Sequence, residues 1–346
     1  FMADDRIPLT NIPLQYQPFL PALQAAVHST ATDNSVITRF ENTFADLMGV
    51  DNALACAGPE AALQLAVEAA GIQPGDEIIT SPFNRLTHAL PHISWVFADV
   101  CADTLNLDAH DVERHLTKKT KAMMPMHTFG YPADMEALMH LANEHGLQVF
   151  ENCVQAPLAQ ADGVRVGSIG DMGIFGFTPA VALGQNTPAG CLITNDGALA
   201  QKARQILAQK VSLQMPATQA ALLQALVPQA AEHWIENRQK AAAWYEEELA
   251  GVPVQRPPVP PAEVNPTYTA YALHAERAEE LVAFLAKHHI EAALAFAGFS
   301  IPDSLPCARH AQKETLLLPM FPDITPEQVE RVCGAVRDFY EEDAPL

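Results

Sequence analysis

From residue 53 onward, short apolar runs alternate with segments whose apolar residues recur at helical spacing. This alternation is typical of βα units, in which helices connect the neighbouring strands of one mainly parallel sheet. Seven runs have the length and composition of buried strands: Ala53–Ala57, Asp76–Pro82, Ser94–Asp99, Ala122–His127, Gln148–Cys153, Gly173–Phe177 and Gly190–Thr194. We therefore predict an α/β fold with a seven-stranded, mainly parallel sheet.

The intervening segments predict amphipathic helices. Apolar residues at i, i+3, i+4 and i+7 give Ala133–His145 one apolar face, which we expect to be buried. The same spacing places further helices near Glu60–Ala70, Ala109–Leu116 and Ala198–Ala208.

A proline-rich stretch, Gly251–Pro266, interrupts this pattern. Its six prolines cannot belong to a regular helix or a central strand, because proline fixes φ and lacks an N–H donor. We place a domain boundary there, between a large domain over residues 1–250, with an N-terminal helical segment, and a small α+β domain over residues 251–346. In the small domain we predict a strand at Tyr268–His274 and a helix near Glu276–His288.

The last helix carries its own start signal. Thr325 is a good N-cap residue, Pro326 suits the first helical position, and Gln328 is spaced to complete a capping box. Valine and cysteine residues at helical spacing follow this signal, so we predict that the chain ends in a helix.

Charge and hydropathy exclude several classes of function. The chain has 41 acidic and 20 basic residues and a net charge of −21, so we expect neither nucleic acid nor an anionic membrane surface as a partner. A hydrophobic content of 49% excludes disorder. No apolar run approaches the ~18–20 residues that a membrane helix needs, and the first residues lack the pattern of a signal peptide. We therefore expect a cytoplasmic location.

The cysteines and histidines do not predict a metal site. The six cysteines lie far apart without a C-x-x-C pair, which favours reduced core residues over a disulfide framework or a zinc site. His88 and His92 have the i, i+4 spacing of two ligands, but Pro91 lies between them and a third ligand is not evident.

Several stretches together resemble the DegT/DnrJ/StrS family of sugar aminotransferases. They are Gly71–Thr80, Asp99–Leu107, Thr120–Met135, Val166–Gly173, Glu236–Gln239 and Leu317–Pro322. The resemblance covers nearly the whole chain and implies the fold type I architecture of enzymes that use pyridoxal 5′-phosphate (PLP). It implies a three-layer α/β/α large domain, a small α+β C-terminal domain, a dimer, and a role in sugar or polysaccharide biosynthesis.

The resemblance places the Schiff-base lysine of these enzymes at Val181. Family sequences resemble S-F-Y-P-T-K-N-L-G, whereas this chain has Gly-Phe-Thr-Pro-Ala-Val-Ala-Leu-Gly over residues 176–184. A hydrocarbon side chain can neither form an imine nor move a proton. The chain has eight lysines, and the nearest to this segment is Lys202.

Two other requirements of PLP are also unmet in the sequence. Asn152 stands where the resemblance places the aspartate that keeps the pyridine nitrogen protonated, and a neutral amide lacks the necessary charge. At the phosphate end, Pro59 removes an N–H donor and Glu60 adds a negative charge. A unit-charge repulsion at ~4 Å costs about 4 kcal/mol at an effective dielectric of ~20. Glu60 by itself is better explained as a first-turn carboxylate that complements the helix dipole.

Three more positions depart from the same pattern. Gly176 replaces a hydroxyl expected to reach the phosphate, and Arg85 replaces an aromatic residue expected to stack on the cofactor ring. Ser212 lies in the segment that would lend an asparagine to a neighbouring subunit. Together these departures predict a chain that does not bind PLP covalently.

If the pocket persists, its floor is expected to carry five polar residues: Arg85, His127, Glu151, Asn152 and Gln155. Arg85 either pairs with Glu60 and fills the vacated space, or grips a carboxylate or phosphate of a new ligand. His127 is the candidate acid or base by residue type, although a structural role is favoured. The segment Ala293–Leu318 is short, which predicts a more open or reduced sugar pocket.

Two functions remain open from the sequence. The first is a PLP-independent pseudoenzyme that binds a sugar nucleotide, as a homodimer or as a heterodimer with an active related chain. A repurposed enzyme is a weaker version of it, because no matched nucleophile and base are evident. The second is an active PLP aminotransferase that transfers an amino group from glutamate to a keto sugar, with a lysine other than the one expected.

Overall fold

The computed structural model describes residues 6–29, 35–177 and 189–341, except for the side chains at 229 and 230. Its strands are β1 (Asn52–Cys56), β2 (Glu77–Thr80), β3 (Ser94–Phe97), β4 (Thr120–Met124), β5 (Gln148–Asn152), β6 (Gln160–Ala161), β7 (Val164–Arg165), β8 (Met172–Gly176), β9 (Gly190–Thr194), β10 (Val264–Asn265), β11 (Tyr271–His274), β12 (Ala293–Leu294) and β13 (Thr315–Leu318). Its α-helices are α1 (Ile12–Tyr16), α2 (Leu20–Ser29), α3 (Val36–Met48), α4 (Pro59–Ala69), α5 (Ala109–His115), α6 (Met135–His145), α7 (Gly197–Gln209), α8 (Ala217–Glu248), α9 (Ala278–Lys287), α10 (Pro306–Glu314) and α11 (Pro326–Glu341).

Within the described residues, seven strands form the main sheet in the order β1-β9-β8-β5-β4-β2-β3. Strands β8, β5, β4, β2 and β3 run parallel, and β9 is antiparallel to both of its neighbours. The predicted α/β fold with a seven-stranded, mainly parallel sheet is confirmed. The strand bounds differ from the prediction by a few residues. For example, β4 ends at Met124, because Pro125 has no N–H with which to continue the ladder.

Helices cover both faces of this sheet. Side chains alternate across β8, so Phe175 packs with α3 and α8 on one face, while Ile174 packs with α4 on the other. Phe44 of α3 packs edge to face on Phe175, with 5.2 Å between ring centroids. These contacts form the three-layer arrangement that the sequence resemblance implies.

A second core surrounds the three-stranded antiparallel sheet β11-β13-β12. The 32-residue helix α8 connects the two cores, with Trp234 in the first and Tyr245 in the second. Ile7, from the N-terminal end of the described chain, also packs into the second core, and its carbonyl accepts a bond from the Glu291 N–H. The division at residues 250 and 251 remains a prediction.

The proline-rich stretch contributes one short strand, β10, which pairs with β6, the central strand of the three-stranded sheet β10-β6-β7. Among the described residues, no helix is both long and apolar enough to cross a lipid bilayer.

The predicted capping box at the start of α11 offers a test of local folding. Thr325 Oγ1 accepts a bond from the Gln328 N–H at 3.2 Å, and Gln328 Oε1 accepts one from the Thr325 N–H at 3.0 Å. We expect Thr325→Ala to lower the free energy of unfolding by about 1 kcal/mol, as measured by urea denaturation. Thr325→Ser keeps the hydroxyl and should stay within about 0.5 kcal/mol of the parent; equal losses in both variants would contradict this role for the cap.

Candidate functional site

The predicted site residues converge at the carboxyl ends of the parallel strands, where open α/β sheets usually bind ligands. Asn152 is the last residue of β5, and Gly176 is the last residue of β8. Arg85 opens a short 3₁₀ turn after β2. Pro59 begins α4, which follows β1.

A buried carboxylate organises this edge of the sheet. Glu151 Oε1 accepts bonds from the N–H groups of Ile169 at 2.8 Å and Gly170 at 2.6 Å. Its Oε2 accepts from the Gly167 N–H at 2.7 Å and lies 3.1 Å from His127 Nε2. Four donors therefore compensate the desolvation of this carboxylate, and its charge fixes the 167–170 turn against β5.

Both ring nitrogens of His127 take part in this network. Nδ1 accepts a bond from the Ala133 N–H at 2.9 Å, so the ring proton resides on Nε2 and is donated to Glu151. The side chain is fully buried and joins the turn after β4 to the turn before α6. A catalytic role for His127 remains a prediction, and the observed contacts are structural.

His127, Glu151 and Cys153 place possible ligand atoms within 4.8 Å of one another. These atoms make a poor metal site, because both Glu151 oxygens already accept hydrogen bonds. Burial also raises the pKa of the Cys153 thiol well above its ordinary value, which disfavours the thiolate that a metal needs.

Asn152 forms a side-chain hydrogen bond with a second asparagine, Asn84. Its Oδ1 accepts a bond from the Val154 N–H at 3.1 Å, and its Nδ2 donates to Asn84 Oδ1 at 3.0 Å. Asn84 Nδ2 in turn donates to Thr80 Oγ1 at 2.9 Å. An aspartate at position 152 would set an oxygen against Asn84 Oδ1. The neutral amide therefore fits its neighbour, which the sequence analysis did not identify.

Pro59 and Gly176 meet at the predicted phosphate end. A Cβ added at Gly176 would lie 3.1 Å from Pro59 Cγ and 3.2 Å from Val154 Cγ1, so a serine would be crowded there. Glu60 lies in the first turn of α4, and its Oε2 is 3.0 Å from the position that a Cβ on Gly58 would take. The carboxylate complements the positive end of the helix dipole and opposes a phosphate at the same place.

Arg85 stacks on an aromatic ring. Its guanidinium carbon lies 4.4 Å from the centroid of the Phe299 ring, a cation–π arrangement. In the described part of the chain Arg85 forms no ion pair with Glu60, so that alternative from the sequence is wrong. The distant aromatic residue was not anticipated, because the sequence contains no local signal for it.

A cavity of about 140 Å³ remains beside Arg85. The described residues that line it are Phe83, Arg85, Leu86, Met126, Phe129, Asn152, Val154, Gln155, Ala295, Phe296 and Phe299. Phe83 and Phe296 stack with 3.6 Å between centroids. The volume is below the ~300–1,000 Å³ of typical ligand pockets. The more open or reduced sugar pocket remains a prediction.

The aromatic segment over the cavity is held from two sides. Gln312 Nε2 donates to the Phe299 carbonyl at 2.6 Å. Asp99, which follows β3, accepts bonds from the N–H groups of Cys307 at 2.9 Å and Ala308 at 2.8 Å. Asp99 thus caps the start of α10, the helix that follows the segment carrying Phe296 and Phe299.

Of the two remaining predicted positions, one is exposed in a turn and the other lies outside the described structure. Val181 lies outside the described residues. Ser212 is exposed in a short turn, Val211–Leu213, and does not line the cavity. All eight lysines are among the described residues, and none of them lines the cavity.

The described residues do not fit PLP. The cofactor needs a lysine at its aldehyde, an acid at its ring nitrogen and donors at its phosphate. Asn152, which lines the cavity, is instead a neutral amide bonded to Asn84, and the helix start at the predicted phosphate end carries Pro59 and Glu60. No chemical step through PLP follows from this arrangement.

Comparison with known proteins gives consistent matches over the whole chain. The model of the DegT/DnrJ/EryC1/StrS aminotransferase family matches residues 18–337. A pleiotropic regulatory protein of Geobacillus stearothermophilus is 32% identical over 96% of this chain and 98% of its own length. A UDP-N-acetyl-3-dehydro-α-D-glucosamine 3-aminotransferase of Acidithiobacillus ferrooxidans is 32% identical over 96% of this chain and 97% of its own length. The crystal structure of S. venezuelae DesV in complex with a ketimine intermediate superposes with a TM-score of 0.90 at 29% identity. The match covers 97% of this chain and 99% of the DesV chain.

The Glu151 network predicts a large loss of stability on substitution. In Glu151→Gln, an amide NH₂ would face backbone N–H donors, leaving buried polar groups unpaired. We expect a loss of about 3 kcal/mol or more in the free energy of unfolding, as measured by urea denaturation. Glu113→Gln, at an exposed position of α5, should change it by less than about 0.5 kcal/mol. A loss below about 1 kcal/mol for Glu151→Gln would contradict the assigned network.

The contact between Pro59 and Gly176 predicts coupled substitutions. Gly176→Ser should cost about 1–3 kcal/mol through overpacking. In a Pro59→Ala background the same change should cost at least ~0.5 kcal/mol less, because the alanine vacates the space of the ring. A double-mutant cycle of unfolding free energies measures this coupling, and strictly additive effects would show that the two residues do not compete for space.

Proposed function

This chain belongs to the DegT/DnrJ/EryC1/StrS aminotransferase family of nucleotide-sugar biosynthesis, and from that premise we propose that it acts there without PLP. In this proposal it binds a sugar nucleotide or a related intermediate and does not transaminate it. It works as a homodimer, or as the partner subunit of an active related chain.

The observation that carries this proposal is the lack of a usable lysine. Transamination needs an amine that forms an imine and relays a proton. The expected position is Val181 in the sequence, and none of the eight lysines lines the cavity formed by the described residues. Asn152 supports the proposal independently, because a neutral amide stands where the acid for the ring nitrogen is expected. Its Nδ2 donates to Asn84 Oδ1, a bond that an aspartate could not make.

The partner role draws on the segment around Ser212, which by resemblance would reach a neighbouring subunit. Val211 beside it is 77% exposed, which suits a residue that a second chain covers. Native mass spectrometry of this chain, alone and co-expressed with an active related aminotransferase, separates the two assemblies. Preferential heterodimers favour the partner role, and a persistent monomer in both preparations would contradict either dimer.

A second candidate is an active PLP-dependent sugar aminotransferase. It is favoured by relatives named as aminotransferases that match over nearly the whole chain. For this chain to act in the same way, a lysine other than the expected one must reach the substrate carbonyl. The two candidates therefore differ in whether a lysine of this chain forms an imine with PLP.

Reductive trapping tests the choice. We expect that incubation with PLP, reduction with borohydride and peptide mapping will recover no pyridoxyl-lysine at a specific site, and that glutamate will not aminate a keto sugar nucleotide. DesV of S. venezuelae, treated in parallel, serves as the positive control. A single stoichiometrically modified lysine together with a visible aldimine band would overturn the proposal and establish the second candidate.

A further inference from the structure

Among the described residues that line the cavity, the free polar side-chain groups are all hydrogen-bond donors. Gln155 Oε1 accepts a bond from the Phe129 N–H at 2.9 Å, and Asn152 Oδ1 accepts one from the Val154 N–H at 3.1 Å. Because only an oxygen can accept from a backbone N–H, these bonds fix the orientation of both amides. In each amide, the NH₂ group is therefore the end that is left to bind a ligand. In the described structure, Gln155 Nε2 has no acceptor, and Asn152 Nδ2 uses one of its two hydrogens on Asn84.

Arg85 adds a positive charge to these donors. It lines the same cavity and has no carboxylate partner among the described residues. Stacking on Phe299 restrains the guanidinium, which reduces the entropy lost when its planar fork binds a ligand. The described lining thus carries one full positive charge, two amide NH₂ groups and no carboxylate.

The remaining walls of the cavity are apolar. Four phenylalanines, with Met126, Leu86 and Val154, surround the space. Its volume of about 140 Å³ is close to the ~150 Å³ of an apolar cavity that holds benzene. The space therefore suits a single ring or a short branched chain.

We propose that this cavity binds a small monocarboxylate with an aromatic or branched apolar body. The carboxylate accepts bonds from Arg85, Asn152 and Gln155, and the body lies among the phenylalanines. This inference rests on the proposed function, because it requires that PLP does not occupy the same space.

The donors select a carboxylate over other small ligands. A carboxylate accepts two parallel bonds from a guanidinium, and its single charge matches the single arginine. A phosphate carries about −1.5 to −2 at neutral pH and would be incompletely neutralised in a chain of net charge −21. Alcohols and amides bring donors that find no free side-chain acceptor among the described lining residues.

Calorimetric titration of the full chain with benzoate tests the proposal, with benzamide, benzyl alcohol and inorganic phosphate as comparison ligands. We expect saturable 1:1 binding of benzoate, with affinity at least tenfold higher than for each comparison ligand. Equal affinity for benzoate and benzamide would overturn the proposal, as would preferential binding of phosphate or no binding at all.

Two variants and a control sharpen this test. Gln155→Glu keeps an oxygen for the Phe129 N–H and replaces the donor by a negative charge, so benzoate affinity should fall at least tenfold. Arg85→Gln should reduce it similarly, whereas Arg114→Gln, at an exposed site on α5, should leave it unchanged. Thermal unfolding verifies that each variant is folded. Unchanged affinity in folded Gln155→Glu would overturn the assigned pocket.

The benzoate test and the PLP-trapping test give distinguishable results. Failure of benzoate to bind, with no PLP adduct formed, overturns the carboxylate pocket and leaves the PLP-independent role intact. A specific PLP adduct overturns the PLP-independent role itself, and the carboxylate pocket with it.

Discussion

The arrangement of the site depends on the buried carboxylate of Glu151. It gathers three backbone N–H groups from the 167–170 turn and the imidazole of His127 around one charge. His127 Nδ1 in turn accepts a hydrogen bond from the Ala133 N–H, which fixes the turn before α6. These bonds hold together strand β5, the turn after β4, the turn before α6 and the turn before β8. Asn152, the next residue of β5, lines the cavity.

Beside this hydrogen-bond network, the residues that depart from the aminotransferase pattern form hydrogen bonds or packing contacts with their neighbours. Asn152 bonds to Asn84, and the Pro59 ring occupies the space beside Gly176. Arg85 stacks on an aromatic ring of the C-terminal segment. The departures therefore belong to a packed and hydrogen-bonded arrangement, in which restoring one residue of an active enzyme would disturb another.

Local patterns predicted most of the fold. All seven strands of the main sheet and the capping box of Thr325 and Gln328 were found, because periodicity and capping depend on residues near in sequence. Motif comparison assigned Asn152 and Gly176 to the candidate site, and the structure places both at the carboxyl ends of strands of the main sheet. The bounds of β4 were less accurate, since the effect of Pro125 on the ladder was not considered.

Contacts between distant residues were harder to predict. Asn84 lies 68 residues from Asn152, although it stands beside Arg85 and its amide could have suggested a partner for another amide. The stacking of Phe299 on Arg85 has no sequence signal, because the fold of the C-terminal segment brings them together. The ion pair with Glu60, one of the two alternatives for Arg85, was wrong for the same reason.

The central claim is that this site has exchanged PLP for a different use of the same space. Calorimetric titration of the purified chain with PLP tests it most directly. The account predicts no saturable heat, with a Kd weaker than about 1 mM, equivalent to less than about 4 kcal/mol of binding free energy. A 1:1 complex with a Kd of about 1 μM or tighter, worth about 8 kcal/mol, would contradict it.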